Sequence, residues 1–318
     1  MNYLYLLKRV AIAVLSVFVV SSVVFGVTAL LPGSAANIVL GTEATEEAVQ
    51  QVNEDLGLDR PLYVQYLDFV GGVFMGDFGE SLISGQPVAE ILWPRLLRTL
   101  QLAVVAMLIS MVVAIPLGIV AAAFRDRAPD FFITSGSYVG LSIPSFVSAT
   151  LLLLFLTTPP LALFPKGGYV PPREGLVEWF HHLLLPALAM NTVILAYVLR
   201  QTRSSMVETL ESDYIRTARL KGVAERNVLF KHALRNGLLP TITVLALNFG
   251  WMMGSVVIIE QIFAYPGMGE MIVQAIENRD LPLIQAGILV PTIAFITANF
   301  AADVIYTMLD PRINLGEE

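Results

Sequence analysis

Six long apolar runs decide what this chain can fold into. They cover about Val10–Leu31, Thr99–Phe124, Phe131–Thr158, Leu183–Leu199, Leu238–Ile262 and Leu283–Leu309. A bilayer core of about 30 Å needs roughly 20 apolar residues per helix. The runs therefore predict an all-α polytopic membrane protein with six transmembrane helices, the fourth being the shortest. Composition agrees. Of 318 residues 56% are apolar and 14% charged, where a soluble domain carries about 25% charged residues. A disordered chain, a nucleic-acid binder and a small secreted scaffold are excluded. The chain has no cysteine, so disulfides, thiolate metal sites and cysteine nucleophiles are excluded as well.

The first run invites a second reading as a signal peptide, because Ser34, Ala35 and Ala36 follow it. It exceeds the roughly 7–15 residues of a typical signal core. Its removal would also leave five spans and two termini on opposite sides. Retention is expected.

Basic residues set the orientation. One set of loops holds Lys8, Arg9, Arg125, Arg127, Arg200, Arg203, Arg216, Arg219, Lys221, Arg226, Lys231, Arg235 and Arg312; the other holds only Arg60, Arg95, Arg98, Lys166, Arg173 and Arg279. Both termini are expected in the cytoplasm. The acidic residues Glu43, Glu46, Glu47, Glu54, Asp55 and Asp59 then fall outside and explain much of the net charge of -7.

The expected organisation is a first helix over 1–31, an external loop over 32–98, a five-helix core over 99–309 and a tail over 310–318. In the external loop Thr45–Leu56 reads as an amphipathic helix, capped by Thr45 and stopped by Gly57. Pro61, Gly71, Gly72, Gly76, Gly79 and Pro87 punctuate the rest, predicting short helices and turns on the outer face. This loop reads as a structural cap or as a docking surface for an external partner. The core contains an internal loop over 200–236 that holds eight of the basic residues named above. There Asp213–Lys221 reads as a short helix, capped by Ser212 and stopped by Gly222. Ala224–Asn236 reads as a second, ended by Gly237. Ile215, Ala218, Val228, Leu229, Ala233 and Leu234 give the pair apolar surface to pack. A plain positive-inside anchor needs no such pattern.

Pro116, Pro144, Pro186 and Pro291 each remove a helix hydrogen bond and predict kinks. Glu260 and Asp303 are ionisable residues at membrane depth, functional candidates by default. Each lies near a span end, so snorkelling to the interface is the competing reading. Asn191, Asn248 and Asn299 read as interhelical hydrogen bonds. No nucleotide-binding Gly-rich loop, zinc-binding H-E-x-x-H or G-x-S-x-G is present. No catalytic or metal-ligating residue is expected. His181 and His182 read as interfacial structural residues in preference to a weak metal site.

The run Asp213-Tyr-Ile-Arg-Thr-Ala-Arg-Leu-Lys-Gly222, with Val-Leu-Phe-Lys-His232-Ala-Leu-Arg-Asn236 after it, resembles the cytoplasmic coupling loop of ABC importer permeases, in the dipeptide, oligopeptide and nickel branch. Gly222, Ala218 and Leu234 match the general importer pattern. Arg216, Thr217 and Arg235 depart from it in the manner of the peptide branch. The resemblance extends along the chain through Leu56-Gly-Leu-Asp-Arg-Pro61, Gln65-Tyr66, Gly76-Asp-Phe-Gly79 with Ser81, Arg200 with Arg203-Ser-Ser-Met206, Glu260-Gln-Ile-Phe263, Tyr265-Pro-Gly-Met-Gly269, and Asn299, Asp303, Tyr306 and Asp310-Pro-Arg312. One departure is Ser34-Ala35 after Pro32-Gly33, where the branch usually continues Asp-Pro.

The resemblance implies a type I ABC importer permease fold, in the inner or plasma membrane of a prokaryotic cell. It implies pairing with a homologous second permease, two cytoplasmic ATPase subunits that hold ATP and Mg, an external substrate-binding protein, and surrounding membrane lipid. This chain itself would bind no cofactor. Asp213, Tyr214, Arg216, Thr217, Ala218, Lys221, Gly222, His232, Leu234, Arg235 and Asn236 would couple to an ATPase. Arg219 is read as exposed and unimportant to that contact. Glu260, Phe263, Pro266, Gly267, Gly269, Asn299 and Asp303 are gate or pore candidates, with the 263–269 turn expected to dip over the pore. Di- and oligopeptides are the expected substrates; nickel complexes, glutathione-like molecules and oligosaccharides are the alternatives. Read without the resemblance, the residues also allow a secondary transporter or a passive channel subunit.

Overall fold

A computed structural model describes residues 3–30, 40, 45–55 and 57–309. Ser34–Ala36, Glu43, Leu56 and Asp310-Pro-Arg312 lie outside them, as does the side chain of Asp303. Among the described residues the architecture is helical, with one isolated antiparallel bridge between Glu80 and Pro87. In chain order the helices are α1 (Tyr3–Ala29), α2 (Glu46–Asp55), α3 (Leu62–Met75), α4 (Val88–Ala123), α5 (Ala128–Ser142), α6 (Ser145–Thr157), α7 (Leu176–Glu211) and α8 (Asp213–Leu220). They continue as α9 (Glu225–Asn227), a π-helical turn over Val228–Ala233, α10 (Leu234–Gly237), α11 (Leu239–Ile262), α12 (Met268–Glu277) and α13 (Leu281–Leu309).

Among the described residues each predicted apolar run is mostly helical. Among them four helices are long and apolar enough to cross a membrane, or up to six spans if each of two bent helix pairs counts once. The third run is not one straight span. Its halves α5 and α6 meet at 101°. Ile143 is extended (φ -96°, ψ 117°), as the residue before a proline prefers, and Pro144 supplies no amide to bridge the gap. Pro116, Pro186 and Pro291 stay inside α4, α7 and α13. The fifth run bends by 57° between Met252 and Gly254. The fourth run is far longer than expected: α7 has 36 residues and continues beyond Leu199 to Glu211. Residues 200–211, expected in the internal loop, are helical.

The chain divides into two compact units. One comprises Met1–Thr99 with Pro266–Glu318, the other Leu100–Tyr265. α13 belongs to the first unit. In the first unit Gln285 of α13 donates to Thr28 of α1 at 2.7 Å. Asp280 accepts hydrogen bonds from the Ser81 hydroxyl (2.5 Å) and the Leu82 amide (3.2 Å), tying the 79–88 turn to the start of α13.

In the second unit α7 is the central element. Leu183, Leu185, Ala187, Ala189, Met190, Ile194, Val198 and Leu199 bury one continuous apolar side against α4, α6 and α11. Asn191 bridges helices as expected: its amide donates to the carbonyls of Ala106 (2.7 Å) and Ala187 (2.9 Å), and it accepts from Ser110. Asn248 departs from expectation by donating to Val244 in its own helix. His181 and His182 bond two different carbonyls, Leu163 and Glu178, each at 2.8 Å.

Candidate functional site

The segment after α7 is a small packed unit with its own core. Ser212 breaks the helix with extended backbone (φ -67°, ψ 151°) at the N-cap of α8. Its hydroxyl does not cap α8 as predicted; it donates back to the Thr209 carbonyl at 2.5 Å. Asp213 in the first turn suits the positive end of the helix. Ile215 points inward and is fully buried with Met206, Val228 and Ala233, alongside Ala122 from the end of α4. Val223, Leu229 and Leu234 flank them. Burying a side chain such as Ile215 contributes about 1.5–3 kcal/mol. This core fixes α8 to the base of α7.

Gly222 has φ +78°, in the left-handed region that glycine enters without a Cβ penalty. A Cβ there would meet nothing within 4 Å, so the constraint is backbone conformation alone. Asn236 donates to the Tyr214 hydroxyl at 3.1 Å, linking α10 to α8 across the turn. Asp213, Tyr214, Arg216, Thr217, Lys221, Arg235 and Asn236 are exposed, while Ala218, His232 and Leu234 are half-buried. Leu220 is 82% exposed and Phe230 57%. The segment therefore pairs a buried apolar seam with an open face of mixed charge and apolar side chains.

Arg219 is exposed, as expected; its bonds within the chain were not foreseen. Nη2 and Nε donate to both Glu225 carboxylate oxygens at 2.7 and 3.2 Å, and Nη1 donates to the Leu210 carbonyl at 3.3 Å. It thus joins the end of α7, α8 and α9. The Arg219 guanidinium holds the Glu225 carboxyl below its ordinary range, and Glu225 in turn raises Arg219. Arg219 and Glu225 line a cavity of about 210 Å³ with Arg125, Glu211, Leu210 and Leu229.

A second connection missed in the sequence lies above this core. Arg203 of α7 donates from Nε and Nη2 to the two oxygens of Asp130 at 2.5 and 2.6 Å. Asp130 is buried, and also accepts from the Asp126 amide and the Thr134 hydroxyl at 3.0 Å each. The start of α5 is fixed to the lower part of α7.

The gate candidates divide between the two units. In the second, Glu260 is fully buried (0% exposed) with Phe263 and Tyr265; its side chain does not snorkel. After α11 the chain turns through Ala264 at φ 45°, and the Tyr265 amide returns to the Glu260 carbonyl at 2.8 Å. The Gly168 amide donates to the Phe263 carbonyl at 3.0 Å. A Cβ on Gly167 would overlap that same carbonyl. Tyr169 meets the Tyr265 ring edge-on at 5.6 Å, and Tyr169 and Trp179 both donate to Gln101 at 3.1 and 3.2 Å. The Gly-Gly pair at 167–168 was the sequence signal that could have located this clamp.

In the first unit Gly267 is the N-cap of α12, and Gly269 is buried in its first turn. The Met268 amide donates to Thr99 at 2.8 Å, and Arg98 donates to the Pro266 carbonyl at 3.3 Å. Arg95 pairs with Glu270 at 2.5 Å. Asn299 is half-buried in α13, and Asp303 lies further along the same helix.

Comparison with known proteins follows this architecture. The model of the binding-protein-dependent transport system inner membrane component family matches residues 114–315, and the corresponding N-terminal family model matches 2–103. A protein of Brucella suis biovar 1 (strain 1330), assigned as a peptide transport system permease, is 41% identical over 310 residues, covering 97% of this chain and 98% of its own. The glutathione transport system permease protein GsiC of Escherichia coli K12 is 36% identical over 309 residues with the same coverage. The chain belongs to the family of binding-protein-dependent transport system inner membrane components, the multi-pass permease subunits of ABC importers.

Proposed function

We propose that this chain is one of two permease subunits of an ATP-driven importer of peptides, and that residues 212–236 form its coupling element. The observation that carries the reading is the pairing of a rigid inner seam with an open outer face in one segment. Ile215, Met206, Val228 and Ala233 lock α8 to α7. Tyr214, Arg216, Thr217, Leu220 and Lys221 remain exposed. A force applied to that face would be delivered to α7, a single helix of 36 residues, and not lost in a flexible loop. At about 1.5 Å per residue it spans roughly 54 Å, longer than the bilayer core.

In this reading two ATPase subunits hold ATP and Mg, and each receives one coupling segment in a surface cleft. Closure of the ATPases moves α8 and the base of α7, and the spans pass from inward-open to outward-open. Glu260 and Phe263 are outer-gate candidates in one unit, and Pro266, Gly267 and Gly269 in the other, while Asn299 and Asp303 are pore candidates on α13. An external binding protein delivers the substrate. Peptide as the substrate class is supported by the similarity to a peptide permease, and glutathione, itself a short peptide, by the similarity to GsiC.

The test is reconstitution. Alone, the chain should hydrolyse no ATP. With a sister permease, two ATPase subunits and a loaded binding protein, hydrolysis should rise and di- or oligopeptide should accumulate in the vesicle. Concentrative uptake by this chain alone would overturn the reading.

A further inference from the structure

The external loop was expected to lie on the membrane face. One part of it, α3, packs against the first span. The Tyr66 hydroxyl of α3 lies 2.9 Å from both the Ser21 and Ser22 hydroxyls. Those serines sit inside the 23-residue apolar span Leu7–Ala29. Ser21 is eight residues before Ala29, roughly 12 Å along a helix rising 1.5 Å per residue. Phe25 of the same span touches the rings of both Tyr66 (5.4 Å) and Phe69 (6.0 Å). A helix whose tyrosine reaches that far down a span is at membrane depth itself.

The sides of α3 fit that position. Tyr63, Leu67, Val70 and Phe74 recur at i, i+4, i+7 and i+11, a stripe within an arc of about 60°. Tyr63 is 69% exposed, Leu67 64% and Phe74 86%. The opposite side carries Gln65, Asp68 and Gly72, which line a cavity of about 410 Å³ together with Thr28 and Gln285. The polar ends of the helix are satisfied locally: Gln65 donates to the carbonyls of Leu58 and Arg60, and Arg60 pairs with Asp68 at 3.2 Å. Gly76 (φ +77°) ends the helix, with its amide bonded to Val73 and that of Asp77 to Gly72. Fourteen residues are too few to cross a bilayer.

We infer that α3 is an in-plane helix inserted into the leaflet at the Ala29 end of α1, with Tyr63, Leu67, Val70 and Phe74 buried among lipid chains. The occupant of this apolar face is lipid and not a protein, because the Tyr66 to Ser21 and Ser22 contacts fix α3 beside a span that is itself in hydrocarbon. An amphipathic helix in this position buries its apolar side at the boundary of headgroups and acyl chains. Hydroxyl-to-hydroxyl bonding at Tyr66 then satisfies the polar group that faces inward. The helix sets the height of the following 79–88 turn, which Ser81 and Leu82 fasten to Asp280.

The cysteine-free full chain allows a direct test. Leu67→Cys, Phe74→Cys and Ser84→Cys are each spin-labelled in nanodiscs of phosphatidylethanolamine and phosphatidylglycerol. Collision with oxygen, which partitions into lipid, is compared with collision with a water-soluble nickel chelate. The oxygen-to-nickel ratio at positions 67 and 74 should be several-fold above that at position 84. A ratio at 67 and 74 equal to that at 84 overturns the inference. So does a low ratio that rises only when the external binding protein is added, since the face would then be a protein-docking surface.

Discussion

Arg203 grips Asp130 through two hydrogen bonds of 2.5 and 2.6 Å, joining helices that are 73 residues apart in sequence. Asp130 is nearly inaccessible, and Arg203 is itself only partly exposed. Removing Asp130 leaves the partly exposed Arg203 cation without its partner, at a cost below the about 3–5 kcal/mol of a fully buried charge. Asp130→Asn should lower the melting temperature of the purified protein by several degrees. Adding Arg203→Met to that variant should restore part of the loss, because the stranded cation is then gone. A single variant that melts with the wild type would show that the pair contributes nothing to stability.

The coupling element permits a graded test. Gly222 has open space around it and a positive φ, so Gly222→Val acts through the backbone alone. Left-handed geometry costs about 1–2 kcal/mol for ordinary residues, and Asn tolerates it better than a β-branched residue. Transport should fall in the order Gly222, Asn, Val, with weaker co-purification of the ATPase for Val. Ala218→Trp should also weaken ATPase co-purification by enlarging a half-buried position. Equal transport by all four proteins would remove the coupling role from this turn.

Arg219→Ala frees α8 from Leu210 and Glu225. An exposed pair contributes about 0.2–1 kcal/mol, so the expected effect is on transport more than on melting. The pH dependence follows from sign. Glu225 is lowered in the folded protein, so its contribution is complete above the ordinary glutamate pKa and is lost only as pH falls through the lower folded value. Coupling through this pair should therefore be flat between about pH 6 and 8, as measured by ATPase co-purification. Loss of co-purification in that window in wild type but not in Arg219→Ala would contradict it.

The positions of the spans were legible because long apolar runs have few alternatives in water. The extension of α7 was not. Residues 200–211 are largely polar, but Thr202, Ser205 and Met206 are buried on one side, and that packing keeps them helical. Gly222 was legible as a turn because glycine between two helical stretches has a local cause. The partners of Asp130, Phe263 and Tyr66 were not, since each lies far away in the chain and no spacing rule connects them. The exposure of Arg219 was legible, but its bonds to Leu210 and Glu225 were not, since a long side chain can be exposed and still bridge three segments.

The clamp on Phe263 separates two kinds of change at the end of α11. Gly167→Ala places a methyl on the Phe263 carbonyl, and that backbone oxygen cannot yield without losing its bond from Gly168. Gly168→Ala meets no neighbour but must adopt φ +88°. Gly167→Ala should therefore lower the melting temperature more than Gly168→Ala. Glu260→Ala should change basal ATP hydrolysis in the full complex, because the residue is buried beside the turn that this clamp fixes. Normal expression with unchanged basal and stimulated rates would leave Glu260 with a packing role alone.

Orientation can be settled with the same cysteine-free chain. The basic residues around α8 and α9 predict that this end faces the cytoplasm. Thr45 lies immediately before α2 and is exposed, and Ser204 is exposed on the lower part of α7. A cysteine at Thr45 should react with an impermeant thiol reagent in intact cells or spheroplasts. One at Ser204 should react only after permeabilisation, since α7 carries it to the side of the coupling element. The two sites are linked by α4, by the bent α5–α6 pair and by α7, so the result also tests whether that pair crosses the bilayer. If α5 and α6 enter and leave on one side, α7 must start on the opposite side from that predicted. Ser204→Cys would then label from outside, and the coupling element could not reach a cytoplasmic ATPase.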